Sequence, residues 1–340
     1  MRSQPKKIAV IRLDRLGDVV LTLPLAGILK NKFTEVSITM ILREYTAPIG
    51  TNCKFADNVL IVEPGLKINE IVKLLKKEHF DIAFVVSPKF NIALAVLLSG
   101  IPVRIGTGNR WYSFLFNKRV SEHRSDVKFH EAEYNARMAA SIIGSDVLLE
   151  PNIVNYGLSV PEQSLKIEKI LRAANFSEEK RYLIIHPGSG GSAVDLPIGK
   201  YIELAERMQK ENIPVICTGT TDERAICERV CAVSQGINLA GELSLEELMV
   251  IIKKCFIFVS NSTGPLHVAA ALGKPTIAFF PKVKVCSKER WGAYSKDAYT
   301  FEPETNCGNC SVEKCLKVKC MDTIKMDLPA KIIEEIIRKA

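Results

Sequence analysis

No apolar stretch in the chain reaches the ~20 residues needed to cross a bilayer as a helix. The longest candidate, Ile92 to Val103, is interrupted by Ser99, Gly100 and Pro102. Met1 to Arg15 lacks a secretory pattern, because the apolar run Ile8 to Ile11 is too short for one. Aromatics are scarce, at 7% of 340 residues, so Ile, Val, Leu and Ala must carry the core. That is the composition of parallel sheets covered on both faces. The dinucleotide fingerprint G-x-G-x-x-G is absent. No zinc-finger spacing and no interleaved aromatic–basic stretch is present, and the net charge of +8 is too modest to argue for nucleic acid. Ten cysteines in so long a chain do not make a small disulfide scaffold. These absences predict a cytoplasmic protein with mostly reduced thiols.

What is present points to two domains of ordinary size. Residues 1–150 hold 21 Lys/Arg against 15 Asp/Glu, a balance of +6; the remainder holds 25 against 23, a balance of +2. A basic first half suits an anionic partner or an anionic membrane surface. Apolar runs then alternate with helical periodicity along the whole chain, which predicts doubly wound parallel sheets. Strands are expected at Lys7–Leu13, Val36–Leu42, Val59–Val62, Asp81–Val86 and Val103–Gly106. Helices are expected at Val19–Phe33, Ile68–Lys77, Ile92–Leu98 and Glu131–Ile143. Gly144 to Ser159 reads as a linker, and the alternation restarts after it.

Three loops carry candidate chemistry. Asp14-Arg15-Leu16-Gly17-Asp18 follows the first strand and opens a helix. Asp18 is either a helix cap, stabilised by the helix dipole, or a base facing a cleft. His186-Pro187-Gly188-Ser189-Gly190-Gly191-Ser192 follows the strand Tyr182–His186. Its glycines let backbone N–H groups approach a phosphate. His186 itself reads equally as a packed, hydrogen-bonded histidine or a ligand. Asn261-Ser262-Thr263-Gly264-Pro265 follows the apolar run Cys255–Val259, and Pro265 suits a first helical turn. Hydroxyls and a glycine between a strand's end and a helix's start form either an ordinary cap or an anion site. The segment 107–130 is irregular and mixes Arg110, Lys118, Arg119, His123, Arg124 and Lys128 with Trp111, Tyr112, Phe114 and Phe116. It reads as a solvated connection or as a surface receiving an acidic substrate.

Ile11-Arg12-Leu13-Asp14-Arg15-Leu16-Gly17-Asp18 through Pro24, the His186–Ser192 loop and Asn261–Gly273, in that order, resemble the three signatures of glycosyltransferase family 9, the ADP-heptose:lipopolysaccharide heptosyltransferases. The resemblance implies the GT-B architecture, an α/β fold of two Rossmann-like doubly wound parallel-sheet domains facing a cleft. It places an acceptor domain at 1–155, a nucleotide-sugar domain at 156–325, and a C-terminal helix, 326–340, packing back on the first domain. It implies an inverting transfer of heptose from ADP-heptose to the inner core of a lipid A–Kdo-type acceptor at the inner-membrane surface, with no catalytic cofactor. Asp18 matches the family's proposed base. Ser189, Gly190, Gly191, Ser192, Ser262, Thr263, Gly264 and His267 become donor contacts, with Asp222 or Glu223 holding the nucleoside and Leu243 against the adenine. Arg15, Arg110, Arg119 and Arg124 become acceptor contacts. Two departures stand out. Val194 and Leu196 occupy positions where relatives carry a basic residue and an aromatic, and Ser262 replaces a common Asp. They keep two alternatives open: another nucleotide sugar as donor, or a nucleotide-sugar-binding protein with weak catalysis.

Near the C-terminus, Cys307-x2-Cys310-x4-Cys315-x4-Cys320 has short spacings that suit a structural zinc or iron–sulfur site, a disulfide, or packed thiols. Pro329 to Lys339 follows as an amphipathic helix.

Overall fold

The structure is a computed structural model that describes residues 4–160, 164–173, 182–305 and 310–339. The chain divides into two compact units, Met1–Ser159 and Val160–Ala340. Each is built on its own six-stranded parallel sheet. The first contains β1 (Lys7–Ile11), β2 (Ser37–Leu42), β3 (Asn58–Ile61), β4 (Ile82–Val85), β5 (Val103–Thr107) and β6 (Lys118–Val120). The second contains β7 (Leu183–His186), β8 (Val215–Cys217), β9 (Ile237–Asn238), β10 (Ile257–Asn261), β11 (Thr276–Phe279) and β12 (Ala298–Phe301).

Their orders, β3-β2-β1-β4-β5-β6 and β12-β11-β10-β7-β8-β9, describe the same topology. Each order reverses between the first and fourth strand of its sheet, and ligands bind beyond the strand ends at such points. Central strands are covered on both faces, so their sequences run apolar without alternation. Ile8 to Ile11 and all of β4, β7 and β10 are buried. Val10 of β1 pairs with Met40 on one side and Phe84 on the other. The covering helices show the expected spacing: Tyr201, Leu204, Ala205 and Met208 of the helix Ile198–Lys210 enter the second core.

Differences from the sequence reading have local causes. The single helix expected over Val19–Phe33 is two, Leu16–Val20 and Leu23–Lys32. Pro24, near the start of the second, has no N–H to give the preceding turn, so the ladder breaks there. Glu131–Ile143 likewise divides into Glu131–Arg137 and Ala140–Ile143. There the Met138 and Ala139 amides reach back three residues, to Asn135 and Ala136, instead of four. The outer strands β6 and β12 are short and partly exposed, and their patterns did not reveal them.

The boundary after Ser159 lies later than the expected 155. The Lys54 amide donates to Gly157 O at 2.9 Å and the Ser159 amide to Asn52 O at 2.9 Å, which ties residues 157–159 to the first unit. In the C-terminal helix, Asp327–Lys339, Ala330 and Ile333 enter the core of the second unit, and Arg207 pairs with Asp327 at 2.9 Å.

Candidate active site

The end of β1 feeds directly into a buried cluster of charges. Arg12 follows the strand's last residue and is 3% exposed. Its Nη2 bonds Asp18 Oδ1 and lies 3.4 Å from Glu131 Oε1. Its Nε lies 3.2 Å from Asp14 Oδ2, out of line for a hydrogen bond. Its Nη1 donates to Val86 O at 3.3 Å, just past β4, and to Asn135 Oδ1 at 3.5 Å. The guanidinium therefore sits at the switch point of the first sheet and touches three carboxylates. Arg124 joins from the far side, bonding Glu131 and, at 3.1 Å, Asn135 Oδ1. Asn135 Nδ2 donates to Leu21 O and Thr22 Oγ1, which anchors the cluster to the chain between the two split helices. Ser87 Oγ donates to Asp14 Oδ2 at 2.6 Å and accepts from the Leu13 amide, so Asp14 is held to β4.

Asp18 occupies the third position of the helix Leu16–Val20, not its cap; the cap residue is Arg15. Its side chain is 17% exposed. Burial pushes its carboxyl above the usual carboxylate value; Arg12 opposes the shift, and the negative charges of Asp14 and Glu131 add to it. Burial lowers the Arg12 guanidinium, but the surrounding carboxylates outweigh it and leave Arg12 above its ordinary value. Asp18 is thus a carboxylate held by one cation and pressed by two like charges. That combination makes a better proton acceptor than a solvated aspartate.

In the second unit, the loops after β7 and β10 stand side by side at the corresponding switch point. Asn261 links them: Oδ1 accepts from the Leu196 amide at 2.9 Å, and Nδ2 donates to Pro187 O at 2.6 Å. Ser189 starts a turn closed by the Ser192 amide on Ser189 O at 3.1 Å. Its central residues Gly190 and Gly191 both have positive φ, 57° and 73°, which glycine adopts without strain. A Cβ at Gly188 would meet the Glu223 carboxylate at 1.8 Å, so that side chain would have to shift. Glu223 is engaged internally, accepting from the Gly190 amide at 3.3 Å and the Thr220 amide at 2.8 Å. It braces the glycine loop, while Asp222 is exposed and Leu243 half-buried. Thr263 precedes the helix Gly264–Ala271 in extended conformation, with no side-chain cap bond. Ser262, Thr263 and His267 are buried. Val194 and Leu196 belong to the apolar core of this unit.

His186 is buried, with Nδ1 2.9 Å from Thr218 Oγ1. Burial lowers its pKa to about 4, against an opposing pull from Glu223. It is therefore a packed, neutral histidine at neutral pH. Its folded value lies below its unfolded one, so its stabilising contribution is complete above about 6.5 and lost as pH falls toward 4. His186→Asn, which keeps a polar partner for Thr218, is expected to flatten the fall in melting temperature between those values. An unchanged acid dependence in the variant would show that His186 does not set it.

Of the four arginines expected at an acceptor surface, Arg124 is tied to the Asp18 cluster by hydrogen bonds. Arg15 is exposed at the start of Asp18's helix; Arg110 and Arg119 are exposed after β5 and on β6. Cys307 lies outside the described residues. Cys315 and Cys320 are buried in the second core, with Cys310 packed against it. Among the described residues, no three His, Cys, Asp or Glu side chains form a group able to hold a metal.

Sequence reasoning did not single out Glu131, Asn135 or Ser87. Glu131 reads as an ordinary acid of a helix's first turn, and it lies 119 positions beyond Arg12 in the chain.

The chain is similar to known proteins over most of its length. The chain is 28% identical over 300 residues to a putative glycosyltransferase of Haemophilus influenzae, covering 84% of this chain and 85% of that one. It is 27% identical over 290 residues to lipopolysaccharide heptosyltransferase 2 of Escherichia coli, covering 81% and 82%. In fold it is similar to the solved ADP-heptose lipopolysaccharide heptosyltransferase II of Escherichia coli, with a TM-score of 0.78, 22% identity and coverage of 98% and 99%. A family 9 glycosyltransferase of Veillonella parvula gives a TM-score of 0.81 at 17% identity, covering 98% of each chain. The model of glycosyltransferase family 9 (heptosyltransferase) matches residues 68–321. With two Rossmann-like units and this match across most of its length, the chain belongs to glycosyltransferase family 9, the heptosyltransferase family.

Proposed function

We propose that the protein transfers a heptose from ADP-heptose to the inner core of a lipopolysaccharide acceptor, with inversion, without a catalytic metal, and at the membrane face where that lipid is held. The observation that carries this reading is Asp18: a mostly buried carboxylate at the end of β1, raised above its ordinary pKa and oriented by Arg12. In the reaction, an acceptor hydroxyl attacks the anomeric carbon of the donor and gives its proton to Asp18. The bond from that carbon to the diphosphate breaks, and its electron pair leaves on the diphosphate oxygen. A single in-line displacement of this kind inverts the anomeric centre. The growing negative charge falls to backbone N–H groups at the start of the helix Gly264–Ala271 and to the Gly191 amide of the Ser189–Ser192 turn. A phosphorylated or Kdo-bearing acceptor would meet Arg15, Arg110 and Arg119, with Arg124 reaching it from its place beside Glu131.

A second reading rests on Val194 and Leu196. Their burial in the core leaves no cation at that position beside the glycine loop, which favours a different nucleotide sugar or binding without turnover. Titration against a panel of nucleotide sugars, paired with transfer to a Kdo-lipid acceptor, separates these. ADP-heptose is expected to bind most tightly and to be consumed only with acceptor present. Tight binding of another donor, or of ADP-heptose with no transfer to any acceptor, would overturn the reading.

A further inference from the structure

We infer that the face formed by Phe90, Trp111 and Phe114 docks the first unit onto an anionic phospholipid surface. The inference deepens the proposed function and rests on its placing the acceptor in a membrane. Trp111 is 73% exposed, Phe114 64% and Phe90 38%. Large aromatics so open to water are unusual where a core is within reach, and Trp prefers the boundary between water and lipid. The indole is not loose. It stacks on Phe90 with ring centroids 4.9 Å apart and meets the buried Tyr112 edge-on at 5.5 Å. Its outward position is braced from beneath.

Charge says what covers this face. Between Ser87 and Arg124 the chain carries Lys89, Arg104, Arg110, Lys118, Arg119 and Arg124 against a single acid, Glu122. Glu122 is paired with Arg137, and Arg104 is turned to the carbonyls of Leu115 and Ile101. Arg110, Lys118 and Arg119 are exposed in the same segment of chain as Trp111 and Phe114. Cations flanking exposed aromatics match anionic headgroups over an apolar interior. The same charge opposes pairing of this face with an identical copy of itself. The face also adjoins the candidate site. Phe90 opens the helix after β4, and its neighbour Lys89 donates to Leu13 O at 3.3 Å and lies 4.0 Å from Asp14 Oδ1. Docking here brings the Asp18 end of the first sheet to the lipid.

The test uses plain phospholipid vesicles, which carry no sugar acceptor. Full-length protein is expected to sediment with vesicles of phosphatidylcholine and phosphatidylglycerol, weakly with phosphatidylcholine alone, and less as salt rises. Trp111→Ser combined with Phe114→Ser should lower the partition at least about tenfold, while transfer to a soluble, deacylated acceptor stays at the parent rate. In a Trp291→Phe background, Trp111 fluorescence should shift to the blue on anionic vesicles. Three results would overturn the inference: no binding to anionic vesicles, equal binding by the double variant, or self-association abolished by the double variant while vesicle binding persists. Vesicle binding with no transfer from any donor would defeat the proposed function and leave the docking face standing.

Discussion

Asp18→Asn is expected to lower turnover by about 10²–10⁴, the usual worth of a positioned base, while the fold and donor binding persist. Asn keeps the shape of the side chain and an oxygen for Arg12, so the cluster retains its geometry. It cannot take a proton. The stability expectation runs the other way from activity. Asp18's folded pKa lies above its unfolded value of 3.8, so the folded state holds the proton to higher pH. Stability therefore falls as pH rises through the window from 3.8 to that raised value. Asn carries no such charge, so the variant should melt no lower than the parent at pH 7, and any advantage should shrink in acid. A purely structural helix acid predicts the reverse: a normal rate and a less stable protein. Transfer at close to the parent rate would remove Asp18 from the chemistry. Asp14, held by Ser87 and near Lys89, would then be the candidate base.

The different fates of particular residues show what a sequence makes legible. β1, β4, β7 and β10 stand out because central parallel strands are apolar on both faces. β6, Lys-Arg-Val at an edge, carries no such signature, since only pairing with β5 makes it a strand. The glycine loop was visible because two consecutive positive-φ positions require glycine. The role of Glu223 in bracing that loop was not, because its carboxylate reaches Gly188 and Gly190 only through the fold. Asp18 was read from its place in a turn, but the cap alternative could be set aside only by finding Arg15 at the cap position. The partners that shape its acidity, Arg12 on a strand end and Glu131 on a distant helix, are brought together by topology. No local pattern encodes such a meeting.

That meeting gives the second large effect. Arg12→Met leaves the buried carboxylates of Asp14, Asp18 and Glu131 without their shared cation. Breaking a buried ion pair from one side costs about 3–5 kcal/mol, and the loss should fall on the first unit. Because two units need not unfold together, hydrogen exchange of the β1 and β4 amides is the appropriate measurement. Glu131→Gln is the milder partner experiment, since it keeps the side chain's shape and removes one negative charge beside Arg12. The two variants push Asp18 in opposite directions. Arg12 lowers its pKa, so Arg12→Met should move the acid limb of the kcat/KM profile to higher pH. Glu131 raises it, so Glu131→Gln should move the limb to lower pH. A general loss of folding would depress both profiles without moving their limbs apart. Limbs that stay fixed, or that move together, would show that the titrating group is not Asp18.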